Sequence, residues 1–101
     1  MEIIDWIQNW FKDNCNGDWE KGEAIQIITI DNPGWEVEID ISTTSIASIN
    51  LEWILNETSP QDWYGVKIEN QKFTAQGDSD KLEFLLGLFK EMIERIENEP
   101  N

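Results

Sequence analysis

Histidine is absent from this 101-residue chain, and cysteine occurs once, as Cys15. The first absence removes the usual general base and the commonest metal ligand. The second excludes an internal disulfide and a zinc site built from thiolates. Basic residues are scarce: seven stand against 21 acidic ones, a formal charge of -14. A surface of that sign repels nucleic acid and anionic membranes and attracts basic partners. Apolar runs are short, none approaching the ~20 residues that span a bilayer. The opening Met1-Glu2-Ile3-Ile4-Asp5 lacks the basic start and long apolar stretch of a signal peptide. The expectation is a cytoplasmic protein without cofactor or metal, whose partners are neither nucleic acid nor membrane.

What is present suits one domain spanning residues 1–101. Hydrophobic residues make up 40%, enough for a core at this length. Ile3, Ile7, Trp10 and Phe11 recur at helical spacing with Trp6 beside them, which predicts a helix over Glu2–Asn14 ending near Asn16-Gly17. The period then changes to two. Residues 24–30 are rich in β-branched side chains, and residues 35–41 alternate, with Trp35, Val37, Ile39 and Ile41 facing one way and Glu36, Glu38 and Asp40 the other. Asp31-Asn32-Pro33-Gly34 between them reads as a turn in which glycine supplies a positive φ, so the two segments predict a hairpin.

Residues 42–48 read as a polar loop, and residues 51–57 as a strand with Leu51, Trp53 and Leu55 on its inner side. After a turn at 59–62, residues 63–69 and 72–76 predict a second hairpin, with Tyr64, Val66, Ile68 and Phe73 inward. Gly77 is expected to break the sheet. Asp80 and Glu83 form a capping-box pattern ahead of a stripe through Leu82, Leu85, Leu86, Phe89, Met92, Ile93 and Ile96, widened by Phe84 and Leu88. Residues 98–101 are expected to fray. The fold expected is α+β: an antiparallel sheet of about five strands, with the N- and C-terminal helices packed on one face.

Candidate sites are few. Asn14, Asn16, Asp18, Glu20 and Glu23 fall at ligand positions of an EF-hand loop aligned on Gly17, but Lys12 takes the first position and a strand follows, so the motif fails. Cys15, near a helix C-terminus and among acids, lacks what activates a thiol, although a small cysteine-dependent enzyme such as a sulfurtransferase remains the alternative to a binding protein. Six tryptophans stand out. Trp6 and Trp10 read as core, Trp35 and Trp53 as inward strand residues, and Trp19 and Trp63, each after an aspartate near a turn, as harder to bury. Tryptophan is enriched at binding hot spots. The stripe Glu36, Glu38, Asp40 carries like charges along one strand, which repel one another, and it suits a basic partner.

The run Cys15-Asn16-Gly17-Asp18-Trp19-Glu20, then Asp31-Asn32-Pro33-Gly34-Trp35 and Ile39-Asp40-Ile41, followed by Asp62-Trp63 and a leucine-rich terminal helix, resembles the immunity protein 53 family of bacterial polymorphic toxin systems. The similarity covers nearly the whole chain. It implies an antitoxin that is not an enzyme: a small protein that binds a cognate toxin domain and blocks it. With the acidic surface, the expected partner is a basic toxin domain such as a nuclease. The residues expected to touch it are Asp18, Trp19, Glu20, Glu36, Glu38, Asp40 and Trp63.

Overall fold

The computed structural model describes residues 2–98. Of the expected fraying tail, Glu99-Pro100-Asn101 lies outside the described residues, whereas Asn98 closes a helix. The elements are α1 (Glu2–Asn14), a single 3-10 turn (Trp19–Lys21), β1 (Ile25–Ile30), β2 (Gly34–Asp40), β3 (Leu51–Ser59), β4 (Asp62–Glu69), β5 (Lys72–Asp78) and α2 (Leu82–Asn98). The strands form one antiparallel sheet in the order β1-β2-β5-β4-β3, with β1 and β3 at its edges. The α+β architecture expected from the periodicities is the one found.

Alternation along the central strands decides which face the helices cover. Val37 and Ile39 of β2, Phe73 and Ala75 of β5 and Ile68 of β4 join Leu85, Leu86, Phe89 and Ile93 of α2 and Ile3, Ile7 and Trp10 of α1 in one buried cluster. Its centre is aromatic: Phe89 lies 4.8 Å from Trp10 and 5.1 Å from Phe73, both edge-on, an arrangement that the ring quadrupole favours. The connection from β2 to β3 is less polar in effect than in composition. Ile41 and Ile46 are fully buried, and Thr44 holds the turn by donating its hydroxyl to the Ile41 carbonyl at 2.8 Å.

Four local expectations are corrected. Gly34 has no positive φ; it lies in β2, where a Cβ would run into the Gly77 carbonyl of the paired strand. Gly77 does not end the sheet, since β5 runs through it to Asp78. The residue that organises the start of α2 is Asp78 rather than Asp80: its Oδ1 accepts the Asp80 N–H at 2.9 Å, and its carbonyl accepts the Lys81 N–H at 3.0 Å. Trp53 does not face inward. It is 44% exposed on the side of the sheet away from the helices.

Candidate partner-binding face

Among the described residues nothing covers the sheet face opposite the helices, and that face holds two grooves. From β2 come Glu36 and Glu38, from β5 Lys72, Thr74 and Gln76, and from β4 Lys67 and Glu69; with Trp53 they line a groove of about 340 Å³. Toward β3 a second groove of about 450 Å³ is lined by Asn32, Trp53, Leu55, Glu57, Pro60, Trp63 and Gln76. Trp53 and Gln76 belong to both, so they form the divide between a half crowded with charge and one where Leu55, Pro60 and Trp63 mix with Asn32 and Glu57.

Backbone register places these side chains. Glu36 pairs across the strands with Gln76, Glu38 with Thr74, and Lys67 with Thr74 from the other side. Gln76 Nε2 donates to Glu36 Oε1 at 2.6 Å, and Lys72 Nζ stands 4.0 Å from Glu38 Oε2. The acidic stripe is thus partly answered by its neighbours, a donor for one carboxylate and a distant, exposed cation for the other. Trp53 reaches the centre because Gly65 on β4 has no side chain: a Cβ there would collide with the indole. An aromatic laid over a strand glycine restores the side-chain contact that glycine withholds from the sheet.

The residues expected from sequence divide between two places. Glu36 and Glu38 line the first groove and Trp63 the second. Trp63 is buried, contrary to expectation, yet it stands apart from the helix-side cluster. Asp40 ends the stripe and turns its Oδ1 to the Ser42 N–H at 2.8 Å. Asp18, Trp19 and Glu20 lie elsewhere, in a compact turn after α1. Asn16 Oδ1 accepts the N–H groups of Asp18 and Trp19, both at 2.9 Å, while the Glu20 carboxylate takes those of Asn16 and Gly17 at 2.9 and 2.8 Å. Gly17 sits at φ 99°, where an L side chain is strained. Backbone donors hold the Glu20 carboxyl below the usual range. The product of this turn is a buried Trp19, contrary to expectation, packed against Trp10 at 5.6 Å and Phe11 at 5.4 Å and donating its Nε1 to the Asp40 carbonyl at 3.0 Å. The tryptophan that sequence reading missed as a surface residue is Trp53.

One ionic knot braces the end of the face. Lys81 Nζ lies 2.7 Å from both Asp78 Oδ2 and Asp62 Oδ1; Asp78 Oδ2 also accepts the Trp63 N–H at 2.9 Å, and the Thr58 hydroxyl reaches Asp62. The Lys81 ammonium, then the Trp63 and Asp80 N–H groups, lower the Asp78 carboxyl to about 2. The same pairing raises Lys81. The knot ties β4 and β5 to the chain just before α2 and so fixes where Trp63 sits.

Cys15 is exposed, and its thiol donates to the Phe11 carbonyl at 3.2 Å. Desolvation, then the Glu20 charge, push it up from its ordinary value, which disfavours the thiolate that nucleophilic chemistry needs. Among the described residues, no group of three or more acids and cysteines is placed to hold a metal ion, and no helix is long and apolar enough to cross a membrane.

Compared with known families, residues 4–94 match the model of immunity protein 53. No curated protein and no solved structure matches the chain.

Proposed function

The chain belongs to the immunity protein 53 family, and from that premise we propose that it binds a cognate toxin domain in the cytoplasm through the uncovered face of its sheet and thereby neutralises it. The observation that carries this reading is the face itself. In a domain whose other sheet face is sealed by two helices, this one carries a large, half-exposed aromatic, Trp53, between a groove of three glutamates and two lysines and a groove of mixed apolar and polar lining. That is the composition of an anchor with a polar surround, the arrangement in which tryptophan contributes most to binding.

The charge of the chain, -14, supports a basic partner such as a nuclease. Glu36 and Glu38 would then take the place of phosphates before the toxin's basic residues. Lys67 and Lys72 beside them refine that picture, because a partner fitted to this face needs an acid or a carbonyl opposite each lysine as well as cations opposite the glutamates. Of the residues named from sequence, Glu36, Glu38 and Trp63 remain in the proposed contact, Asp40 sits at its margin, Trp19 and Glu20 serve the fold, and Asp18 lies exposed outside the contact.

The reading is tested by co-expressing the chain with its cognate toxin domain. Growth should be restored by the wild type, restored undiminished by Cys15→Ser, and lost with Trp53→Ala combined with Glu36→Lys. Protection that vanishes with Cys15→Ser and survives the face variant would favour the cysteine-dependent alternative instead.

A further inference from the structure

The two edges of the sheet are treated differently by the sequence. The β3 edge is guarded: it carries Glu52 and Glu57, its register shifts between Leu51 and Ile54 and again between Glu57 and Ser59, and Pro60 follows it. Charges, bulges and proline are the devices by which edge strands avoid pairing with other chains. Within β1 itself there are none of them. Ile25-Gln26-Ile27-Ile28-Thr29-Ile30 is uncharged throughout, pairs with β2 without a register shift, and exposes Ile27 at 43% and Ile28 at 47%. In a chain carrying 28 charged side chains among 101, an edge of six residues with no charge stands out.

The backbone shows which groups this edge offers. The Asp40 N–H donates to the Ala24 carbonyl at 2.9 Å. Carried along the antiparallel register, that bond makes Gln26, Ile28 and Ile30 the residues that exchange hydrogen bonds with β2. The N–H and C=O groups of Ile25, Ile27 and Thr29 therefore point away from the sheet, free to form a further ladder.

We infer that β1 pairs antiparallel with β1 of a second copy, joining two five-stranded sheets into one. Charge selects this occupant. A partner attracted by the acidity of the chain brings cations, which find nothing to pair with along β1. Two like-charged copies approach most easily where neither is charged, and at physiological salt the repulsion between their remaining surfaces fades over ~8 Å. The strand is also self-complementary. With the two-fold axis at Ile27, Ile27 meets its own equivalent, Ile25 meets Thr29, and Gln26 meets Ile28. Apart from Gln26, the side chains that face one another are apolar or β-branched, and no charge opposes another within the strands, the first like-charged pair, Glu23 with Asp31, falling just beyond them.

The test is the mass of the purified chain by light scattering or sedimentation, from low to high micromolar concentration at physiological salt. The expected result is a species of twice 11.8 kDa, shifted to monomer by Ile27→Glu with an unchanged circular dichroism spectrum. A second variant holds if that one misfolds. Ile27→Cys in a Cys15→Ser background places two thiols in a hydrogen-bonded pair with Cα atoms roughly 5.5 Å apart, within disulfide reach, so mild oxidation should yield a covalent dimer. A wild type that is monomeric at every concentration overturns the inference. So does a dimer that survives Ile27→Glu, or one that the Ile27→Cys variant fails to cross-link. If the wild type is monomeric and Ile27→Glu instead weakens toxin binding, the edge belongs to the toxin and the assignment to a second copy fails. None of the mass measurements requires the toxin, so this result stands apart from the one that tests the sheet face.

Discussion

The Trp53 indole occupies the space that a side chain at Gly65 would need, so the position of the most exposed aromatic on the open face depends on a glycine one strand away. Gly65→Ala should push the indole off the sheet. The effect expected is a loss of toxin affinity with little change in the helix-side core, read by calorimetric titration alongside a thermal melt.

Trp53→Ala separates binding from stability. Being 44% exposed, Trp53 contributes little to the fold beyond its cover of Gly65. Its loss should cost about 1 kcal/mol or less in chemical denaturation, no more than the centre of the distribution for point substitutions. Toxin binding should weaken by ~2 kcal/mol or more, the threshold of an interface hot spot.

Trp19 should behave in the opposite way. It is buried against Trp10 and Phe11, and Trp19→Ala should cost ~3–5 kcal/mol of stability, as large aromatic truncations in cores do. Asp18→Ala, at an exposed position beside it, should change stability by no more than ~0.5 kcal/mol and leave toxin affinity intact.

Acid should weaken the fold through the Lys81 knot. The Asp78 carboxyl is lowered from 3.8 to about 2 in the folded chain. Its stabilising contribution is therefore complete above its unfolded value, declines as pH falls below 3.8, and is gone once the pH passes about 2. Asp62, lowered by the same ammonium, adds in the same direction. Lys81 is raised, so its share is complete below its unfolded value of 10.5 and is lost as pH rises through the folded one. Denaturation midpoints measured down the acid limb should fall for the wild type. Asp78→Asn should start lower at neutral pH and vary less with acid.

Much of this arrangement is legible in the sequence. The spacing of Ile3, Ile7 and Trp10 marks α1 to the residue, and the alternation from Trp35 to Ile41 places Glu36 and Glu38 on the uncovered face. What is not legible is parity in β3. Leu51, Trp53 and Leu55 alternate as if they shared one face. Yet Leu51 opposes Ile68 while Ile54 opposes Val66, so one extra residue lies between them. A bulge of one residue sends every later side chain to the other face, and no local pattern announces it. The burial of Trp19 is hidden for a different reason. The turn that drives it inward is made by Asn16 and Glu20 side chains bonding to backbone donors, which read in sequence as a polar, solvent-facing block.

Salt should expose the part played by charge. Glu36→Gln with Glu38→Gln should slow association with a basic toxin and flatten its dependence on ionic strength, with a smaller effect on dissociation, since surface charges act chiefly on encounter. Stopped-flow kinetics at several salt concentrations measures both rates.

The most direct measurement is the toxin affinity of two variants side by side, Trp53→Ala on the open face and Phe84→Ala on the exposed flank of α2, each compared with the wild type by calorimetry. Trp53→Ala should weaken binding at least ~30-fold, the equivalent of ~2 kcal/mol, and Phe84→Ala should leave it unchanged. Unchanged affinity in Trp53→Ala, with the loss falling on the helix-side variant, would place the toxin on the other side of the molecule.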